Sequence, residues 1–425
     1  MNDSIKNGYK FAVYRHPIVI GADLDRLIYR QFVVLKDPDG IIIAFTNFYK
    51  YIHSSLKYGS KHVSDDGNNR FYFVVAFLNF IFFDKQNKYH IPRLTEITKP
   101  ILQDFFTAYG ASPSIKTQRT KSTVDKCVNS IVDFLTAVIH ANPGKCIMHE
   151  SDFTIKEVYR TMRGVMHTRN KLIFEVYYSK HKKAIFRDMP NSVFNIFISY
   201  AATYYTDIFF LIIMSSFAGL RPAESCNVSL RNLFIRKTNG ILTKATIDLL
   251  EERPLRSDLV DVGAIKKARV QEVYRKFLPA FEYCYNIHMK YMQSQKVEKD
   301  FLPMSTNSRG MAYTYDNYYS RFRKMVKEII PALLESNNPE VVEYALSLQE
   351  NNISPHIFRH WFSVRLTLYG EDVAGLQYWR GDSSPESAMI YLQNKGELEK
   401  QLRQVSNGIF DFTQFQTNLQ RRESE

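Results

Sequence analysis

The stretch Thr206–Phe217, TDIFFLIIMSSF, is apolar nearly all the way round a helical turn. More than any other segment, it constrains the fold: a helix without a polar face belongs in an interior. Just beyond it, Gly219 suits the end of a helix. Pro222 and Glu224 suit the start of the next, since proline is tolerated in a first turn and a carboxylate favours the positive end. Arg221 is thereby held in the corner between two helices, and a corner fixes a side chain better than a loop does.

Around that core helix, periodicity predicts a unit beginning near Met189-Pro190. Strands are expected at Ala245–Leu250 and Leu259–Val262, around a turn containing Pro254. Long helices are expected over Lys266–Met292, Tyr315–Leu334 and Pro339–Gln349. A further helix opens at Ser354-Pro355 and carries His356, Arg359 and His360, whose spacings of three and four share one face.

Upstream, Gln31–Leu35 and Ile41–Phe45 flank Asp37-Pro38-Asp39-Gly40, a hairpin signal. A helix is expected from 47 to 56, and a polar linker over 61–69. Three helices follow: Arg70–Phe83, Thr98–Tyr109 (with an early Pro100) and Thr117–His140. The start of the third carries Lys116, Arg119, Lys121 and Lys126 among Ser and Thr. That mixture suits either a phosphate grip or a solvated basic face. Residues 143–187 read as a bridge that turns basic at Lys180, Lys182 and Lys183. The expected fold is mainly α with small β-sheet elements (α+β) in several domains: 1–65, 66–145, 146–187, 188–403 and 404–425.

Composition narrows the function. The chain has 45% hydrophobic and 23% charged residues, which argues against wholesale disorder. Its 56 Lys+Arg against 43 Asp+Glu give +13, a balance that attracts polyanions, nucleic acid above all. Cys127, Cys146, Cys226 and Cys284 form no Cys-x-x-Cys and have no histidines at zinc spacing, so neither a disulfide framework nor a structural metal is expected. The start of the chain lacks the order of a signal peptide. The apolar run Phe71–Phe83 is too short to span a bilayer and contains Asn79. A cytoplasmic protein with no membrane partner is expected.

Three short stretches carry the chemistry: Ala218–Glu224, His356–His360 and Ser387–Tyr391. Any one is weak in a chain with 27 tyrosines and 11 histidines. Tyr391 alone reads as packing, and Arg221 alone as a helix cap. Together they supply what DNA strand cleavage needs. A phosphodiester resists anionic attack unless fixed cations meet the developing charge. Arg221 and Arg359 can each hold two phosphate oxygens and stay charged. His356 can donate a hydrogen bond or move a proton near neutral pH. Tyr391 can attack, leaving a phosphotyrosine that conserves the bond energy, so no cofactor, ATP or metal is called for.

In this order the stretches resemble the tyrosine recombinase (phage integrase) family. Its first arginine box is similar to Gly219-Leu220-Arg221-Pro222-Ala223-Glu224, its second to His356–His360, and its nucleophile to Tyr391. The likeness covers roughly residues 190–400. It implies a helical core-site DNA-binding domain and a catalytic domain that clamp double-stranded DNA. It also implies Arg221, His356 and Arg359 around the scissile phosphate, and assembly as a homo-tetramer on two sites, with room for an accessory protein.

There are two departures. Asp382 stands nine positions before Tyr391, where the family has His or Trp; a carboxylate there can orient Arg359 or His356, with Trp379 or Arg380 compensating. The family's hairpin lysine is also missing from Leu249–Arg256, where Arg253 is the nearest fit by position, with Lys244 earlier and Lys266 later. The apolar tail residues Ile409, Phe410, Phe412, Phe415 and Leu419 are expected to dock, on their own domain or on a neighbouring protomer. Integrase or transposase of a mobile element is the expected function. A type IB topoisomerase or a DNA binder with a decayed site are the alternatives.

Overall fold

A computed structural model describes residues 8–20, 26–53, 69–84, 89, 91–111, 119–160, 166–178, 189–382 and 385. Contacts divide the chain into two units, Met1–Ile18 with Ile28–Lys183, and Val19–Leu27 with Ala184–Glu425.

Three strands, β1 (Lys10–Ile20), β2 (Arg26–Lys36) and β3 (Ile42–Phe45), form one sheet in that order, all but the end of β1 and the start of β2 in the first unit. The expected hairpin is its β2–β3 pair, with Val34 opposite Phe45. Asp37 closes the turn by accepting from Ile41 N at 2.7 Å, and Gly40 takes a left-handed φ of 86°. Helices α1 (Tyr49–His53), α2 (Asn69–Phe82), α3 (Lys99–Gly110) and α4 (Lys121–Ala141) follow.

The apolar face of α4, Val124, Val128, Ile131, Leu135 and Val138, recurs at three and four residues and is buried. It shares a core with Phe77 and Leu78 of α2, Leu102 and Phe106 of α3, and Val33 of β2. Asn79, the polar break in the apolar run, bonds the backbone of Phe11 through both side-chain atoms, at 2.7 and 3.0 Å. No helix among the described residues is long and apolar enough to cross a membrane.

Residues 143–187 differ from the expected bridge. They contain a two-stranded ribbon, β4 (Thr154–Arg160) and β5 (Met166–Leu172), in unbroken antiparallel register from Thr154↔Leu172 to Arg160↔Met166.

The second unit contains α5 (Asn191–Tyr204), α6 (Thr206–Phe217), α7 (Pro222–Ser225), β6 (Leu233–Thr238), β7 (Ile241–Leu249), β8 (Arg269–Glu272), α8 (Leu278–Gln293), α9 (Tyr315–Leu334), α10 (Pro339–Glu350), α11 (His356–Leu368) and α12 (Val373–Arg380). As its composition predicts, α6 is the core helix. Every residue from Ile208 to Phe217 is buried, and α5, α7, α8, α9 and α11 pack on it. Each phenylalanine so buried stabilises the unit by about 1.5–3 kcal/mol.

The sheet departs from expectation. It runs β6–β7–β8, with Asn239-Gly240 turning β6 into β7, both at positive φ. Leu259–Val262 is not a strand, and Lys266–Met292 is not one helix. Residues 269–272 pair instead with β7, Leu249 opposite Arg269 and Ile247 opposite Gln271, and the helix begins only at Leu278.

All four cysteines are free, and Cys127, Cys226 and Cys284 are buried. Burial pushes the Cys127 thiol up to about 12 and raises those of Cys226 and Cys284 further.

Candidate active site

The site grows from three helix ends in the second unit. After α6, Gly219 adopts φ 64°, and a Cβ there would lie 2.5 Å from the ring of Phe362. Glycine is therefore required for α11 to approach the corner that holds Arg221. Arg221 caps α7: its backbone N–H donates to Glu224 Oε2 at 3.0 Å, and its Nη1 donates to Glu224 Oε1 at 2.9 Å.

Helix α11 is anchored from behind by Trp361. Its ring stacks on Phe194 at 3.7 Å, and its Nε1 donates to Asn191 Oδ1 at 3.2 Å. That anchoring leaves Arg359 buried, with Nη1 donating to Gly219 O and Nη2 to Arg380 O at 2.8 Å.

The third end is that of α12. Gly381 takes φ 60°, its N–H bonds Tyr378 O, and the N–H of Asp382 bonds Gln377 O. This left-handed closing turn fixes the backbone of Asp382. A Cβ at Gly381 would collide with the Arg269 side chain.

The three ends meet on one atom. Asp382 Oδ1 accepts from Arg221 Nη2 and from Arg359 Nη2, each at 2.8 Å. Its other oxygen lies 2.9 Å from Arg380 Nε, an ion pair off the hydrogen-bond axis. Behind them Glu224, fully buried, receives Arg269 on both oxygens at 3.1 and 2.8 Å. Burial opposes its charge, but Arg269 and then Arg221 prevail and hold the carboxyl down to about 2.

Four guanidiniums thus face two carboxylates, a surplus of two positive charges. Burial, with Arg221 and Arg380 close by, brings Arg359 down to about 9, so it remains charged at neutral pH. His356, at the start of α11, is driven down to about 4 by burial first and then by Arg359 and Arg221. Lys266 adds to the shift, while Glu224 opposes it. Its imidazole is neutral at pH 7 and offers one donor and one acceptor.

A depressed histidine makes stability depend on pH. Between the ordinary 6.5 and about 4 the unfolded chain holds a proton that folded His356 does not, so stability is full above 6.5 and declines as pH falls. His288, buried against Phe210 and held to about 4 by burial, acts with the same sign. Urea midpoints measured from pH 7 to 4 are expected to fall, and His356→Asn is expected to flatten that decline. An unchanged decline would contradict a half-buried, neutral His356.

The structure therefore brings together Arg221, His356, Arg359 and Asp382. Arg253 pairs instead with Asp248 at 3.6 Å, on the connection after β7. That connection does bring Lys267 to the site, where its Nζ donates to Asp382 O at 3.3 Å, and its neighbour Lys266 acts on His356. Trp379 meets Tyr274 edge-to-face at 4.9 Å, and its carbonyl accepts from Gln271.

Of the phosphate-binding candidates, Lys121 and Lys126 are exposed in the first turns of α4. Arg119 donates to Tyr109 O at 2.7 Å and lies over that ring. Tyr391, Lys116, Lys180, Lys182, Lys183 and the tail lie outside the described residues. Reading the sequence missed Arg269 and Lys267; the run Lys266-Lys267-Ala268-Arg269 was the available signal, hidden by its assignment to a helix. Among the described residues no His, Cys, Asp and Glu group could hold a metal ion.

No protein-family model and no curated protein matches the chain. Among solved structures it is similar to the Tn1549 transposon integrase in complex with transposon right end DNA, at 13% identity and a TM-score of 0.49, over 84% of this chain and 99% of that one. It is similar to the XerH site-specific recombinase bound to its difH substrate at 16% identity and 0.44, over 78% and 77%. For the XerA recombinase the values are 12% and 0.35, over 85% and 99%.

Proposed function

We propose that the chain is a tyrosine recombinase that cuts and rejoins specific DNA sites through a 3′-phosphotyrosine, as the integrase or transposase of a mobile element. The observation that carries this reading is the convergence of Arg221 and Arg359 on a single oxygen, with neutral His356 at the start of the same helix as Arg359. Two guanidiniums so aimed can hold the non-bridging oxygens of a phosphodiester and stabilise the charge of the phosphorane.

In this reading Tyr391 Oη attacks phosphorus, the bond to the 5′ oxygen breaks, and that oxygen leaves with a proton. Lys267 is a better donor for it than Arg253, because its Nζ reaches Asp382 O in the site whereas Arg253 pairs with Asp248. Neutral His356 accepts the phenol proton, while the leaving 5′ oxygen takes its own from the lysine. Attack by a DNA hydroxyl on the phosphotyrosine reverses the sequence, without metal or ATP.

The partner is double-stranded DNA in the cytoplasm. Lys121 and Lys126, with Lys116, Lys180, Lys182 and Lys183, neutralise backbone phosphates. Residues 66–145 grip the core site and 188–403 form the catalytic half of the clamp. Residues 1–65 read a second site or contact an accessory protein. The 404–425 tail docks on a neighbouring protomer in a tetramer.

The reading is tested by denaturing cells rapidly, stripping non-covalent DNA and sequencing what remains attached to wild type and to Tyr391→Phe. DNA on the wild type alone, at one recurring junction, is expected. Scattered attachment would mark a topoisomerase instead. No adduct, alongside ordinary DNA binding, would mark a decayed site.

A further inference from the structure

We infer that the Asp382 carboxylate is the resident occupant of an anion seat between Arg221 and Arg359, and that a DNA phosphate enters the seat by exchange with it. The inference rests on the proposed reading only in taking the seat for a phosphate site. Asp382 Oδ1 accepts one hydrogen bond from each arginine at 2.8 Å, the same donors and reach that a phosphate oxygen would use.

The other carboxylate of the cluster is not exchangeable. Glu224 is fully buried, takes Arg269 on both oxygens, and also accepts the backbone N–H of Arg221. Asp382 differs in two ways. Its backbone is anchored by the closing turn of α12, so it can leave the seat by side-chain rotation alone. And Arg380 Nε, 2.9 Å from Oδ2, can keep it paired after it leaves.

Arg221 Nη1 is committed to Glu224, so the Nη2 edge held by Asp382 is the one that exchange frees. The seat is thus assembled and aimed before DNA arrives, yet occupied by a carboxylate of the chain itself. A ligand must outcompete a carboxylate at the arginines, which disfavours weakly placed anions.

Sulfate is the probe, because its charge is constant near neutral pH. Its binding to the full chain is measured by calorimetry and by the thermal midpoint, at fixed pH and ionic strength with chloride as reference. Asp382→Asn is expected to bind sulfate about tenfold more tightly than wild type, or about 1.4 kcal/mol. Adding Arg221→Ala to it is expected to abolish the gain. Asp382→Glu, which keeps the charge, should gain nothing.

If Asp382→Asn is unfolded in chloride, sulfate is expected to restore its folding but not that of the double variant. Sulfate affinity equal to or below wild type, or failure of sulfate to rescue an unfolded Asp382→Asn, would overturn the exchange and make Asp382 a fixed strut. Strand cleavage is not read in this experiment, so its outcome and that of the Tyr391 adduct test are separable.

Discussion

Alanine at Arg359 is expected to cut strand cleavage by on the order of 10²-fold or more, the usual loss when one preorganised donor to a developing anion is removed. DNA binding should weaken far less, because many phosphate contacts share that load. Arg359 also bonds two backbone carbonyls, of Gly219 and Arg380, so alanine removes structural bonds as well. Arg359→Lys separates the two effects. It keeps the charge but loses the planar fork, and should leave a folded protein that still cleaves poorly. Single-turnover cleavage of a bound duplex measures this, with folding checked by urea titration. Arg221→Ala should behave like Arg359→Ala, and near-wild-type cleavage in either would remove the basis for the active-site assignment.

The largest effect on stability is expected at Glu224. Glu224→Ala should cost about 3–5 kcal/mol, the penalty for leaving buried charge uncompensated. Arg269 has 10% side-chain exposure and would lose both of its carboxylate bonds, while Arg221 would lose its cap partner. The surface pair Lys171–Glu157, at 54% and 31% exposure, provides the contrast. Glu157→Ala should cost no more than about 1 kcal/mol. Urea unfolding of both variants decides the matter, and a loss at Glu224 as small as that at Glu157 would refute it. With its folded carboxyl near 2 against an ordinary 4.5, Glu224 stabilises fully above 4.5, and that contribution is lost as pH falls toward 2.

Much of the fold was readable because local chemistry and tertiary structure agree. α6 is buried as its composition requires. Tyr315–Leu334 begins at Thr314, which accepts from Asn317 N, and α10 has a proline in its first turn after Asn338. The structure departs from the expected elements where distant pairing outweighs local preference. Arg269–Glu272 is too short for its alternation to show, and it is a strand because β7 lies beside it. Asn239-Gly240 is a strong hairpin signal and forms the β6–β7 turn, whereas Pro254, the expected turn, lies on the connection after β7. The β4–β5 ribbon carries polar and charged residues on both strands and has no clean period.

For the site, the candidate residues in the two boxes could be named from the order of the boxes and their resemblance to the tyrosine recombinase family. The link between Glu224 and Arg269, and that between Lys267 and Asp382, could not, because each joins segments that only the folded chain brings together.

The buried thiols provide the two units with independent clocks. Cys127 lies in the first unit, and Cys226 and Cys284 in the second; all three are shielded and carry raised pKa values. A thiol reagent can reach each only when its surroundings open. Alkylation rates at Cys127 therefore report opening of the α2–α3–α4 core, while those at Cys284 report opening of the α6–α8 core. The breathing of each unit can thus be timed in one tube, from the native sequence, with no probe attached.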